Sequence, residues 1–553
     1  MTGKHAAPGH LESGKLTHRV DSSSPVLEGG IAWDRPLRAA CFVALAFGFV
    51  LLGGASLDLG PIESRLGLTA FETPGPLGRA LGGWEPSVWP GRLLPSLAWA
   101  WGEGGTPTSA SVRWPAAIAA VLTGLILVRR SSDRLGGRAG VLVGLCWFGS
   151  IGLMDRSAGA GLDLIAGLLT VAALDRLIGK GSDLVAGAYA ALAFLAGGWP
   201  PLAVVALTTV VLGRSGATLS WRLLVPPSVA AVGWSAWAIS SASSEAWAAA
   251  LALPLTQKVA WGLAPGVLLL GLPWSPLAAL TASRGVRGGW DSAGRSLVVG
   301  WLPVVGVCLL AGTLVPGLAT AARVPALAGM ALAAGAACDR LLAGRDGLSA
   351  GAGRWAFGVV AGLSVVWLVG VALAGGYLAA AVPYYRTLSV VLIIAGVPLA
   401  ALGVTAALRR DSTRAVFALI ALSVCLKAGH WGYYVPEWNY RRSQGPWGRA
   451  VGQWVPPHWP IYTTHSWPAD FAFATGRPFR QLLTERHLAY QPDGVKFVLL
   501  LDSEFEHWPE HAPPITRVAG FQDESGRGRV LARTPGDLPW AAAARSRAHA
   551  SDE

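Results

Sequence analysis

A few ionisable residues stand at the ends of the apolar segments of this chain, and their types suit proton transfer or phosphate binding. A carboxylate there could take a proton from a hydroxyl group, while a nearby cation stabilises a phosphate leaving group. The alternative is that these residues are headgroup anchors and helix-end ion pairs without a chemical role. The candidates are Asp58, Glu63 and Arg65 in one polar connection, Asp155, Arg156 and Asp163 in a second, and Arg323 at the start of a later apolar segment.

The composition indicates that these candidates belong to a membrane protein. Of 553 residues, 52% are hydrophobic and only 14% are charged. An average soluble domain has roughly 25% charged residues, so the values exclude a soluble enzyme. The 26 Trp agree with this conclusion because Trp favours membrane interfaces. The five Cys lie in apolar segments without CxxC spacing, so no metal-ligating set is predicted.

Apolar segments of about 20 residues predict membrane-spanning helices. The segments at 184–197 and 199–213 are short, and they form either two spans or one broken or re-entrant element. On the length criterion the chain has roughly thirteen spans. They lie near 37–57, 112–128, 139–154, 161–178, 184–197, 199–213, 223–240, 259–281, 296–314, 319–339, 355–378, 387–408 and 414–430.

Lys and Arg collect in alternate connections between these segments. Such alternation orients membrane proteins, because cytoplasmic loops carry an excess of cations. The net charge of +12, from 44 Lys and Arg against 32 Asp and Glu, is therefore a topology signal and does not indicate nucleic-acid binding. It predicts a cytoplasmic N-terminus and an extracytoplasmic C-terminal region. The cation-rich connections contain Arg35 and Arg38; Arg129, Arg130, Arg134 and Arg138; Arg176 and Lys180; Arg214 and Arg222; Arg284, Arg287 and Arg295; Arg340, Arg345 and Arg354; and Arg409, Arg410 and Arg414.

The order of polar and apolar regions predicts four parts with different environments. The apolar part is an all-α membrane bundle, and the region after it is a small α/β domain. The parts are a disordered cytoplasmic tail (1–35), the transmembrane domain (36–430), the extracytoplasmic α/β domain (431–538) and a flexible tail (539–553).

Finer elements are predicted within two of these parts. The connection 58–111 and the segment 244–258 have helical apolar spacing, so they are expected to lie along the membrane interface. In the C-terminal domain, alternating and buried apolar runs predict short strands, of which the last two form a pair. The strands are expected at 460–465, 496–502, 517–522 and 528–533.

Five short motifs follow one another along the chain. They are Pro61-Ile62-Glu63-Ser64-Arg65, Val112-Arg113-Trp114-Pro115, Gly137-Arg138-Ala139-Gly140, Arg156 with Asp163, and Ala193-Phe194-Leu195-Ala196-Gly197-Gly198. Their order, with the layout of 36–535, resembles the GT-C glycosyltransferases of the protein O-mannosyltransferase and aminoarabinose transferase type, also called the dolichyl-phosphate-mannose mannosyltransferase family. Three positions depart from the family pattern. Arg323-Val324-Pro325 keeps a cation and a Pro but lacks the neighbouring aromatic residue that the family often shows. Ile62 replaces the acidic residue expected to act as base, and Gly197-Gly198 lacks the family's Lys.

The resemblance implies an enzyme that moves a sugar from a polyprenyl-phosphate donor to an acceptor at the outer face of a bacterial cytoplasmic membrane. Its other partner is the lipid bilayer, and the acceptor is a protein, lipid or glycan. Glu63 or Asp58 would activate the acceptor as the catalytic carboxylate. A divalent cation is the one cofactor left open, with Glu63 as its contact, and Asp163 would orient that cation or a sugar hydroxyl. The residues implied near the donor phosphate are Arg65, Arg156 and Arg323.

Two other functions are compatible with a membrane bundle. The first is a catalytically degenerate member of the same fold that binds lipid-linked sugar or a partner, and Ile62 is the residue that favours it. The second is a secondary transporter, which predicts an inverted internal repeat and charged residues at mid-membrane. The sequence shows no such repeat, and its charges stand at segment ends.

Overall fold

The described part of the computed structural model consists of a helical bundle followed by a small sheet. Several sequence predictions lie outside it: both tails, the apolar segment 37–57, nearly all of the connection 58–111, and the segment 244–258. The described residues are 109–158, 162–179, 181–214, 220–241, 262–343, 349–437, 439, 443–457, 459–465, 467–491, 494–522 and 526–536.

The bundle is built from helices that we number within the described ranges. Two π-helical turns, Val371–Gly375 and His430–Tyr434, continue helices without a break. The helices are α1 Ser109–Leu135, α2 Gly137–Phe148, α3 Ile151–Ala158, α4 Leu162–Ile178, α5 Asp183–Gly197, α6 Trp199–Arg214, α7 Val225–Ser241, α8 Leu263–Leu270, α9 Ser275–Ala278, α10 Arg284–Arg287, α11 Ser292–Leu314, α12 Ala319–Leu342, α13 Ala350–Gly370, α14 Gly376–Ala381, α15 Arg386–Arg409, α16 Ser412–Gly429 and α17 Val435–Glu437.

Six helical segments in the described ranges are long and apolar enough to cross a membrane. A bent pair of helices, α8 with α9, is also long and apolar enough to cross a membrane when it is taken as one span. Shorter apolar helices, among them α2, α5 and α6, fall below the roughly 20 residues that a straight span needs. The protein is therefore a polytopic helical membrane protein. The six segments are Arg113–Leu135, Ser292–Leu314, Pro316–Leu342, Ala350–Ala381, Pro383–Arg409 and Ser412–Glu437.

Two predicted spans are broken in the structure, which corrects their expected continuity. The segment 259–281 divides into α8 and α9, bent by 102°. Pro273 lies at this break and cannot donate a backbone hydrogen bond. The segment 139–154 divides between α2 and α3, where the Ile151 amide donates to the Leu272 carbonyl at 3.0 Å. The first break is therefore attributed to a proline in the chain, and the second to a hydrogen bond with a distant segment.

Two ion pairs fix the relative directions of four helices. Arg130 near the end of α1 pairs with Asp175 near the end of α4 at 3.0 Å. Arg138 at the start of α2 pairs with Asp339 near the end of α12 at 2.6 Å. Helices α1, α4 and α12 therefore finish at one end of the bundle, and α2 begins there. We call this the arginine-rich end, and we call the end where α1, α4 and α12 begin the opposite end.

Helix α12 is the most enclosed of the candidate spans, because 94% of the residues in its most apolar stretch are buried inside the protein. Small residues allow this, because Ala and Gly let helix backbones approach closely. A Cβ at Gly335 would lie 2.5 Å from the backbone nitrogen of Val143 in α2. Helix α12 therefore packs directly against the α2 backbone, and this contact fixes the helix that carries Arg323.

The C-terminal region contains a five-stranded mixed sheet with the order β2-β1-β3-β5-β4. Strand β1 is parallel to β2 and β3, and β5 is antiparallel to β3 and β4. The four predicted strands are present, including the final antiparallel pair, whereas β2 was not expected. Its elements are α18 Gly445–Trp454, β1 Ile461–Thr463, α19 Ala469–Ala474, β2 Phe479–Gln481, β3 Phe497–Leu501, α20 Asp502–Glu506, β4 Thr516–Gln522 and β5 Gly528–Arg533.

Arg477 joins α18 to the sheet through its guanidinium group. Its Nε donates to the Val455 carbonyl at 2.9 Å, and its Nη2 donates to the Gly452 carbonyl at 2.8 Å. These carbonyls lie at the C-terminal end of α18, where no further helical turn supplies donors. Arg477 therefore completes the hydrogen bonding of this helix end.

We expect Arg477→Met to loosen α18 without unfolding the bundle. Losing hydrogen bonds from a charged donor costs about 2 kcal/mol, which corresponds to roughly 30-fold faster amide exchange in α18. Hydrogen–deuterium exchange of the intact protein in detergent measures this. The exposed Arg480→Gln on β2 is the control, and equal exchange in both variants would contradict the assigned role.

Candidate functional site

Of the six residues to which the family resemblance gives a role, the structure describes three. Asp163 lies in the first turn of α4, and Arg323 lies in the second turn of α12. Arg156 lies on the short helix α3. The other three, Asp58, Glu63 and Arg65, lie outside the described residues, so their roles stay predictions.

Close packing brings the starts of α4 and α12 together. A Cβ at Gly167 of α4 would collide with the side chain of Val324 in α12. Gly167 is four residues after Asp163, about 6 Å along the helix axis, and Val324 is next to Arg323. Asp163 and Arg323 are thus at the same end of neighbouring helices. Both are half-buried and engaged in contacts within the protein.

Helix α3 approaches the same part of α12. A Cβ at Gly152 would lie 3.0 Å from Leu327 Cδ1, and Leu327 is one turn after Arg323. Arg156 is one turn after Gly152 on α3. Helix α12, which carries Arg323, therefore contacts both the helix that carries Asp163 and the helix that carries Arg156.

The structure adds two buried cations that the sequence analysis did not assign to the site. Arg113 in the first helical turns of α1 is 3% exposed, and Lys427 in the last turn of α16 is 1% exposed. Lys427 lies one turn after Ser423. A Cβ added to Gly149, the residue that ends α2, would lie 3.3 Å from the Cβ of Ser423, so this part of α16 packs against the end of α2. Because α2 begins at the arginine-rich end, both buried cations are at the opposite end, with Asp163 and Arg323.

Both added residues had a signal in the sequence. Arg113 is part of the Arg113-Trp114-Pro115 motif, and Lys427 is a cation inside the predicted span 414–430. An ionisable residue in a membrane segment is costly and is retained mostly for function or pairing. Each of these side chains has a contact within the protein, so burial and contacts together hold the cations in place.

The described residues place several cations and the carboxylate of Asp163 at the same end of the bundle. Buried or half-buried cations at a single end can stabilise an anionic group, and they do so strongly where water is excluded. Asp163 can accept a hydrogen bond from a hydroxyl group. Within the described ranges, no group of three or more His, Cys, Asp or Glu could hold a metal ion. The predicted contact for a divalent cation, Glu63, lies outside those ranges.

Comparison with known proteins identifies the fold. No family model matches the chain, and no curated protein matches it in sequence. Among solved structures, the aminoarabinose transferase ArnT from Cupriavidus metallidurans bound to undecaprenyl phosphate superposes with a TM-score of 0.66 and 16% identity over 90% of this chain and 98% of that chain. Its apo structure gives a TM-score of 0.58 at 16% identity, covering 90% and 97%. The chain therefore has the fold of the GT-C glycosyltransferases.

Proposed function

We propose that this protein is a membrane glycosyltransferase that transfers a sugar from a polyprenyl-phosphate donor to an acceptor hydroxyl group. The observation that carries the proposal is the set of cations at the opposite end of the bundle, where Arg113 and Lys427 are almost fully buried beside the helices that carry Arg323 and Asp163. The fold likeness to ArnT with bound undecaprenyl phosphate supports a lipid-linked donor.

The membrane orientation follows from the distribution of Arg. Ends of transmembrane helices with an excess of cations face the cytoplasm, so the arginine-rich end is assigned to that side. The opposite end and the sheet after α16 are then extracytoplasmic. We count the apolar segments outside the described residues together with the described helices, and the proposal then includes roughly thirteen spans. It also includes a cytoplasmic N-terminus and a small extracytoplasmic α/β domain.

The proposed reaction is a displacement at the anomeric carbon of the donor sugar. Glu63, or Asp58 in its place, takes the proton from the acceptor hydroxyl as its oxygen bonds to that carbon. The bond between the anomeric carbon and the phosphate oxygen breaks, and polyprenyl phosphate leaves with the bonding electrons. Asp163 orients a sugar hydroxyl. The cations proposed to stabilise the leaving phosphate are Arg65, Arg113, Arg156, Arg323 and Lys427.

We expect Glu63→Gln to lower sugar transfer by about 100-fold or more, because general-base catalysis contributes roughly 10²–10⁴. Asp58→Asn has a comparable effect if Asp58 is the base. The assay follows release of undecaprenyl phosphate from undecaprenyl-phosphate aminoarabinose or mannose, with protein in liposomes and cell-envelope extract as acceptor. Unchanged release in both variants would refute this assignment of the base.

Ile62 favours one other function, a catalytically degenerate GT-C-fold protein that binds lipid-linked sugar. A hydrocarbon side chain cannot accept a proton where the family pattern has an acid. This alternative predicts that the native chain binds undecaprenyl phosphate but releases none from the sugar donor. The same liposome assay, with a parallel binding titration, separates the two functions.

A further inference from the structure

A cleft of about 540 Å³ lies where α15 and α16 meet α18 of the C-terminal region. One side is apolar and aromatic, formed by Tyr384, Leu388 and Trp431. The other side includes Asn439 and the exposed Arg449. None of these residues belongs to the proposed transfer site. The cleft thus combines an apolar wall with polar donors suited to an anion.

The apolar wall is held by close packing between two helix ends. A Cβ at Gly432 would overlap the side chain of Leu388, so the two helices approach closely at this level. Tyr385 is buried, donates to Glu437 at 3.5 Å, and makes an edge contact with Tyr433. These contacts hold the start of α15 against the residues that follow α16, and they thereby maintain the apolar wall of the cleft.

The cleft continues into exposed apolar side chains on both helices. On α15, Val391 and Ile394 follow Leu388 by three and six residues and are 55% and 68% exposed. On α16, exposed Val424 and Phe417 precede Trp431 at seven-residue spacing, which places all three on one helix face. In a bilayer, such surfaces contact acyl chains. Tyr384 and Trp431 then lie at the level where aromatic residues meet lipid headgroups.

We propose that the cleft binds an anionic glycerophospholipid. Its acyl chains would follow the exposed apolar faces of α15 and α16, and its phosphate would meet Arg449 and Asn439. Among the described residues at this level, the cations Arg449 and Arg386 outnumber the carboxylate of Glu437, which accepts a hydrogen bond from Tyr385. The charge balance therefore favours an anionic headgroup over a zwitterionic one.

The test compares phosphatidylglycerol with phosphatidylcholine of the same acyl chains, added to the intact protein and followed by native mass spectrometry. We expect Arg449→Gln to weaken binding of the first phosphatidylglycerol molecule about five-fold, the effect of one cation near a lipid phosphate. Phosphatidylcholine should lose less affinity, because its trimethylammonium group offsets the charge of its phosphate. Tyr384→Ala changes a side chain that is 78% exposed, and it should weaken the binding of both lipids. Arg480→Gln removes the same charge from an exposed position on β2, and it should leave the affinity for both lipids unchanged.

Three outcomes would overturn the proposal. The first is an equal loss in Arg449→Gln and Arg480→Gln, which indicates a general charge effect. The second is equal affinity of the native protein for the two lipids. The third is displacement of phosphatidylglycerol by undecaprenyl phosphate together with lost transfer in Arg449→Gln, which would assign the cleft to the donor. Arg323→Gln should impair sugar transfer and leave phosphatidylglycerol binding unchanged. The transfer assay and the lipid-binding measurement therefore test the proposed function and the proposed lipid site separately.

Discussion

Replacing Arg323 by Gln is expected to lower the turnover of sugar transfer by two to three orders of magnitude while the protein stays folded. Removing one preorganised group that stabilises developing charge typically costs 10²–10³ in kcat. Negative charge accumulates on the phosphate as the bond to the sugar breaks, so the loss should fall mainly on kcat and less on KM. Release of undecaprenyl phosphate in liposomes, measured over a range of donor concentrations, gives both constants.

Arg354→Gln is the matched control for this prediction. Arg354 is an exposed cation near the start of α13, in one of the cation-rich connections assigned to the cytoplasmic side. Its replacement removes the same charge away from the proposed site and should leave kcat within two-fold. If Arg323→Gln retained more than a tenth of the native kcat, Arg323 would be a helix-end anchor, the alternative that the sequence left open.

The positions of most helices could be predicted from the sequence because long apolar segments leave few alternatives in a membrane. The helix Ser292–Leu314 was expected at 296–314, and α15 differs from its prediction by one residue at each end. The breaks could not be predicted as readily. Ile151 bonds to Leu272, about 120 residues away in the chain, and local periodicity carries no information about such a partner.

The sheet shows a similar division between local and tertiary determinants. Strand β3 and the pair β4 and β5 have apolar or alternating patterns that predict them directly. Strand β2 has only three residues, Phe479–Gln481, with a mostly exposed pattern. It exists because β1 supplies parallel hydrogen bonds to it, and a sequence window cannot show that neighbour.

The candidate site was predictable in type and only partly in membership. Asp163 and Arg323 stand at segment ends, so the sequence makes them candidates, and the structure places them on adjoining helices. The burial of Arg113 and Lys427 depends on helices far apart in the chain. Their positions in the sequence raise the question of a role, but only packing shows that they share one end of the bundle.

Gly335→Leu is expected to destabilise the bundle more than any other single change considered. A Cβ at this position would lie 2.5 Å from the nitrogen and 2.6 Å from the Cα of Val143. Backbone atoms of a packed helix cannot move aside as a side-chain end can, so α2 and α12 must separate. The cost is expected to be about 3 kcal/mol or more, the upper range for overpacked interiors. Thermal unfolding in detergent, followed by loss of the monodisperse chromatographic peak, measures the change.

The effect of Gly335→Leu should also reach the transfer reaction, because α12 carries Arg323 and packs against α4 through Val324 and Gly167. Folded protein recovered at low temperature should therefore show reduced kcat, although Gly335 is about 18 Å along the helix from Arg323. Gly358→Leu is the control, since its Cβ would meet no atom within 4 Å and Leu favours a helix over Gly. A similar loss of stability in Gly358→Leu would show that added bulk on any helix disturbs the protein, and that the approach of α2 to α12 has no special role in holding Arg323.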